Sequence, residues 1–159
     1  MRLGLISDTH DNVPMVKRAV ELFNQESVEL VLHAGDYVAP FSLKPLFSLE
    51  CDFMGVWGNN DGDKIALDRI GQHKIVDSPC VEMYGKKRIL LAHNIEILEA
   101  VISSQHFSLI VYGHSHKAEV RKEGRTLVVN PGECGGWVYG KSSVAVADLE
   151  SQTAEIIAL

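Results

Sequence analysis

Asp8 and His10 place a carboxylate and an imidazole two residues apart, directly after the mainly apolar run Arg2-Leu3-Gly4-Leu5-Ile6. At the end of a buried strand both side chains can turn toward one point. An oxygen and a nitrogen donor together suit one divalent transition metal. Alone the pair says little, because an Asp-x-His loop can equally lead into a helix capped by Asp11 or Asn12. The pattern then recurs four times. Val28-Glu29-Leu30-Val31-Leu32 ends in His33-Ala34-Gly35-Asp36, and Phe53-Met54-Gly55-Val56-Trp57 ends in Gly58-Asn59-Asn60-Asp61. Ile89-Leu90-Leu91-Ala92 runs into His93, and Leu109-Ile110-Val111-Tyr112 into Gly113-His114-Ser115-His116. Five apolar runs that each stop at Asp, His or Asn exceed what turn chemistry explains.

The elements that must carry these endings follow from periodicity. Asn12 caps a helix with Pro14 in its first turn and Val16, Ala19, Val20 and Phe23 on one face. After Asp36 a short helix is expected, capped by Ser42 with Pro45 in its first turn. Residues 52–57 read as a strand and 63–70 as a helix closed by Gly71. Alternating strands and helices build a parallel, right-handed wound sheet, with functional groups beyond the strands' carboxyl ends. The second half changes character. Hairpins are expected at Gly85-Lys86, at Glu123-Gly124 and between residues 149 and 153, with one helix over 95–103. Strands now outnumber helices. The expected fold class is therefore α/β, a four-layer α/β/β/α sandwich of two mixed sheets, with residues 1–159 as one domain.

Composition narrows the function. The 159 residues are 46% hydrophobic with a formal charge of −6, which is not the profile of a basic nucleic-acid binder. No apolar run approaches the roughly 20 residues of a membrane span. No leader is expected, since strand-like sequence begins at Arg2, and a cytoplasmic location is the expectation. Cys51, Cys80 and Cys134 are odd in number and form no Cys-x-x-Cys pair, so reduced thiols are expected. Cys134 lies in the glycine-rich run Gly132-Glu133-Cys134-Gly135-Gly136 and is expected to be the more exposed.

Asp8-x-His10, Gly35-Asp36, Gly58-Asn59-Asn60-Asp61, His93 and Gly113-His114-Ser115-His116 together resemble, in order, the motif set of calcineurin-like metallophosphoesterases. The compact spacing is similar to the minimal single-domain phosphodiesterase branch. Two positions depart from the family pattern. Asn60 stands where a histidine is usual, and Asn94 follows His93 where a glycine is usual. The resemblance implies two divalent ions. Asp8, His10, Asp36 and His116 would hold one; Asp36, Asn59, His93 and His114 would hold the other, with Asp36 shared. Mn, Ni, Co, Fe and Zn all suit such donors. The implied reaction is in-line hydrolysis of a small phosphoester, a phosphodiester first, by a hydroxide made available between the ions. Asn60 would touch the phosphate or shape the pocket.

Two rivals use the same frame. A protein-binding scaffold of the retromer-subunit type has lost metal-site histidines, whereas His10, His93, His114 and His116 are all present. A nuclease on this site would want a basic surface that the sequence does not display. His33 is expected to be buried and hydrogen-bonded rather than a ligand, and His73 and His106 to lie at the surface. The loop Gly136-Trp137-Val138-Tyr139-Gly140 has three readings: folded over the core, lining the cleft, or packed on a second subunit. A homodimer is the expectation drawn from the third.

Overall fold

The computed structural model describes residues Met1–Leu159. Its first half runs β1 (Arg2–Ile6), α1 (Val13–Gln25), β2 (Leu30–His33), a 3-10 helix (Pro40–Ser48), β3 (Asp52–Val56), α2 (Lys64–Ile70) and β4 (Ile75–Val76). The second half runs β5 (Cys80–Tyr84), β6 (Lys87–Leu91), α3 (Leu98–Ser103), β7 (Leu109–Val111), β8 (Glu119–Glu123), β9 (Thr126–Asn130), β10 (Ser143–Asp148) and β11 (Thr153–Ala158).

Two sheets result. One has six strands in the order β11-β10-β1-β2-β3-β4, the other five in the order β5-β6-β7-β9-β8. β1 to β4 are parallel, as are β6, β7 and β9, while hairpin partners make both sheets mixed. Alternation along each strand sets the layers. Leu3 and Leu5, Leu30 and Leu32, Ile89 and Leu91, and Leu127 and Val129 meet between the sheets. The opposite face of the first sheet, through Ile6 and Val31, packs on α1, α2 and the 3-10 helix. The opposite face of the second, through Leu90, Ile110 and Val128, packs on Ile102 of α3. The order is helix, sheet, sheet, helix, as the patterning required.

Local chemistry explains most boundaries. The Asn12 side chain accepts from Met15 N and caps α1, and Asp63 accepts from Ala66 N and caps α2. Three expectations change. Ser42 caps nothing: it lies inside the 3-10 helix and donates its hydroxyl to the carbonyls of Tyr37 and Ala39. Pro40 and Pro45 lack N–H donors, so this stretch closes as tight turns rather than an α ladder. α3 begins at Leu98 rather than at residue 95, with no side-chain cap. Cys134 is fully buried, because its N–H donates to Ser7 O and its thiol enters the helix-side core. Burial pushes that thiol far above its ordinary pKa. The strand β4 carries only two residues and no periodic signal.

Candidate metal centre

The carboxyl ends of β1, β2, β3, β6, β7 and β9 gather at one edge, and backbone bonds lash their loops together. Asp8 N donates to Gly35 O at 3.0 Å and His10 N to Asp36 O at 3.1 Å. Gly113 N donates to His93 O at 3.0 Å, which joins the ends of β6 and β7. The two sheets meet through His93, whose Nδ1 lies 2.8 Å from Ala34 O. This approach needs missing side chains. A Cβ on Gly58 would run into the Asp36 backbone and carboxylate, and one on Gly113 into Ser7 and Asp8.

Five of the seven ligand-type residues sit in left-handed backbone. Asp8 (φ 52°), His10 (φ 40°), Asp36 (φ 61°), His114 (φ 65°) and His116 (φ 59°) all do so. Each costs roughly 1–2 kcal/mol outside glycine, so the surrounding bonds must enforce it. The return is orientation: the sharp turns point side chains from different loops at common centres. Asn94 is not among the positive-φ residues, so its turn makes no demand for glycine.

Two clusters of ligand-type atoms, the first and second centre, lie around Asp36. In the first, donor atoms of Asp8, His10, Asp36 and His116 all lie within 4.8 Å of one another. His116 Nε2 is 3.5 Å from Asp8 Oδ1, and the His10 and His116 rings stack at 5.1 Å. In the second, Asn59 Oδ1 lies 2.8 Å from His93 Nε2 and 2.9 Å from His114 Nδ1, and these two nitrogens are 3.3 Å apart. Asp36 Oδ2 belongs to both, at 3.4 Å from His10 Nε2 and 3.4 Å from His93 Nε2. All seven ligand-type residues read from the sequence are thus brought together, and His114 and His116 diverge to different centres.

The donor chemistry fits divalent cations. Asp8 and Asp36 are both fully buried. The lysine and arginine ion pairs of the chain run through Arg2, Lys74 and Arg121, none of them near either aspartate. Two buried carboxylates without a fixed cation are expensive. Burial pushes the Asp8 carboxyl above the usual carboxylate range, against the lowering effect of the Ser7 hydroxyl 2.6 Å away. Asp8 Oδ1 and His10 Nε2 are buried with no hydrogen-bond partner. In the second centre, His93 spends its Nδ1–H on Ala34 O, so its Nε2 lone pair faces the Asn59 carbonyl oxygen, acceptor against acceptor. A cation held at each cluster would resolve these mismatches.

Other residues have clear places. Asn60 turns its amide inward, with Nδ2 donating to Asp36 Oδ2 at 2.7 Å and N donating to Oδ1 at 2.8 Å. Asp61 is a staple: its carboxylate accepts from Asp36 N, Tyr37 N, Val38 N and Gly58 N at 2.7–3.2 Å. His33 is buried beneath the site and stacked on Tyr37 at 3.9 Å, while His73 and His106 are exposed.

Sequence reading missed Asn130 and Glu133, which stand at and after a sixth strand end, that of β9. Glu133 is buried, and its Oε1 lies 3.3 Å from His116 Nδ1. The same carboxylate accepts from Trp137 N and Val138 N, while the Trp137 indole donates to His10 O at 3.0 Å. The aromatic loop is therefore a strap tied to both histidines of the first centre. Asn130 donates to Gly113 O and Ser115 Oγ, each at 3.0 Å, and so shapes the His114–His116 loop. The available signal was the one already in use, an apolar run, Leu127-Val128-Val129, ending in a polar group.

Comparison with known proteins agrees with this geometry. The model of the calcineurin-like phosphoesterase superfamily domain matches residues 1–152. Phosphodiesterase MJ0936 of Methanocaldococcus jannaschii is 35% identical over 158 residues, covering 96% of this chain and 95% of that protein. A solved structure of a novel archaeal phosphodiesterase superimposes with a TM-score of 0.91 at 33% identity over 100% of both chains. Vps29 of Entamoeba histolytica, solved with Zn²⁺, shares the fold at a TM-score of 0.72 and 18% identity, over 100% of this chain and 98% of that one. This chain belongs to the calcineurin-like phosphoesterase superfamily and is a phosphoric ester hydrolase.

Proposed function

We propose that the protein is a dinuclear metal-dependent phosphodiesterase acting on small phosphodiesters. The observation that carries this reading is the shared carboxylate of Asp36, placed between two clusters of nitrogen and oxygen donors that no lysine or arginine balances. Asp8, His10, Asp36 and His116 would hold one ion, and Asp36, Asn59, His93 and His114 the other. When bound, two divalent cations make hydroxide available near neutral pH and offset charge growing on the phosphoryl oxygens. The chain's residues do the rest. Asn60 fixes the Asp36 carboxylate and Asp61 the backbone that carries it, Ser7 and the His114 N–H fix Asp8, and Ala34 O fixes the tautomer of His93. Mn, Fe, Co, Ni and Zn all match the donor set.

Protein stripped with chelator and verified metal-free is assayed with bis(4-nitrophenyl) phosphate before and after addition of Mn²⁺ or Ni²⁺, with metal content measured in parallel. Activity is expected only after reloading, with about two ions per chain. Asp36→Asn is expected to lower kcat/KM by at least about 100-fold, and His73→Ala to leave it unchanged. Full activity without metal, or equal effects of the two substitutions, contradicts the reading.

A further inference from the structure

A groove of about 800 Å³ opens beside the first centre and shares only His116 with it. It is lined by His116, by Lys117, Tyr139 and Lys141 around the strap, and by the end of β11. No aspartate or glutamate side chain lines it. Lys117 and Lys141 enter no ion pair, and the Lys117 ammonium lies 6.0 Å from the centre of the Tyr139 ring. Eight of the nine lysines of the chain enter no ion pair, so what marks this groove is two lysines on one lining with no acidic side chain beside them. Tyr139 is half-exposed and offers a ring face, and the Ser142 hydroxyl adds a polar group between the lysines and the strands. The volume lies within the 300–1,000 Å³ usual for small-ligand sites.

We propose that this groove binds the non-reacting arm of the phosphodiester and selects small diesters whose arm carries a ring and a second anionic group, as a mononucleotide does. This rests on the phosphodiesterase reading and extends it. The reacting phosphate sits at the metal centre, the ring stacks on Tyr139, and Lys117 and Lys141 take the second phosphate. His116 joins the two regions, so the arm leaves the centre directly into the groove.

The test compares two esters with the same reacting phosphorus and the same leaving group: thymidine 5′-(4-nitrophenyl phosphate) and its 3′-phosphorylated form. In both, water oxygen bonds to phosphorus as the bond to 4-nitrophenolate breaks. With the Mn-loaded full chain, kcat/KM is expected to favour the 3′-phosphorylated ester by about tenfold at low salt. That preference is expected to vanish in Lys117→Met/Lys141→Met and to shrink in high salt. Equal rates on the two esters, or a preference that survives the double substitution, overturns the proposal. Extending the 3′ arm into a thymidylate oligomer is expected to add nothing; a continuing rise would overturn the assignment to small diesters. If no ester is hydrolysed with any metal, the phosphodiesterase reading fails on its own. The groove is then decided by calorimetry with thymidine 3′,5′-bisphosphate and thymidine 5′-monophosphate. Tighter binding of the bisphosphate, lost in the double variant, supports the groove, and equal binding overturns it.

Discussion

Glu133 Oε1 lies 3.3 Å from Nδ1 of His116, on the side of the ring away from the metal centre. His116 Nε2 faces Asp8 on the other side, so the imidazole is held between two buried carboxylates. The contact is a close charge approach rather than an aligned hydrogen bond, because His116 Nδ1 has no hydrogen-bond partner, and a carboxylate behind a histidine limits how the ring can turn. The same glutamate holds the strap through Trp137 N, so the strap and the ring are set by one group.

Glu133→Gln keeps the size and removes the charge. The metal affinity of the centre built on His10 and His116 is expected to fall about 10–100-fold, and that of the centre built on His93 and His114 to change little. Two-site calorimetric titration with Mn²⁺ measures both. In a Trp57→Phe background the emission of Trp137 is expected to shift to the red as the strap loosens. Unchanged affinities at both sites would show that Glu133 serves the strap alone.

Asp61→Asn should act on stability before activity. The carboxylate accepts four backbone N–H groups from two loops, and an amide would aim hydrogens at some of them. The expected loss is about 2–4 kcal/mol, from buried donors left unpaired beside a removed charge. Urea unfolding of the metal-free protein measures it, and a loss under about 1 kcal/mol would contradict the staple.

Burial holds the His33 imidazole well below its ordinary pKa, with His93 and His10 adding to the effect. The ring's Nδ1 accepts from Gly35 N at 3.1 Å, so a second ring proton would break that bond. Above the ordinary value of about 6.5 the ring is neutral in both folded and unfolded chains. Below it the unfolded chain binds a proton that the folded chain does not. Stability is therefore lost as pH falls from about 6.5 toward the folded pKa, by up to about 1.4 kcal/mol per pH unit. In His33→Gln this component is absent. The stability gap between parent and variant, measured by urea unfolding of metal-free protein, should narrow from pH 7.5 to pH 5.5. A constant gap would mean that His33 is protonated in the fold.

Glu133 and Asp61 also mark how far sequence carries. Asp8, His10, Asp36, His93 and His114 were legible because each follows an apolar run, and the alternation within Leu3-Gly4-Leu5-Ile6 fixes which side faces the second sheet. The layers follow from the same alternation. Glu133 was not legible, because its partners His116 and Trp137 are brought to it by a loop with no periodicity. Cys134 misled for a related reason: glycines around it signal a turn, but the bond from its N–H to Ser7 O draws that turn inside. Pro45 was visible, but the 3-10 helix around it also has Pro40 at its start and the Ser42 hydroxyl bonded to the carbonyls of Ala39 and Tyr37. Asp61 was read only as part of a motif, since nothing local shows that four N–H groups from two loops converge on it.

Asn60 sets the last expectation. Breaking a P–O bond leaves an alkoxide unless a group protonates it, and an asparagine amide cannot. General acid help is typically worth about 10²–10⁴-fold and matters most for leaving groups of high pKa. Nitrophenolates leave without a proton, so activated diesters should be hydrolysed readily and alkyl esters slowly. In the structure the Asn60 amide donates to Asp36 Oδ2, and Asp61 is fully engaged by backbone N–H groups. A histidine at position 60 therefore finds Asp36 rather than Asp61 as its nearest carboxylate. That neighbour favours the protonated imidazole. Asn60→His is expected to raise rates on alkyl esters more than on nitrophenyl esters, flattening the dependence of kcat/KM on leaving-group pKa. Measured for both forms with one metal, parallel plots would show that position 60 is not where a proton is missing. The proton would then reach the leaving oxygen from His10 or from solvent.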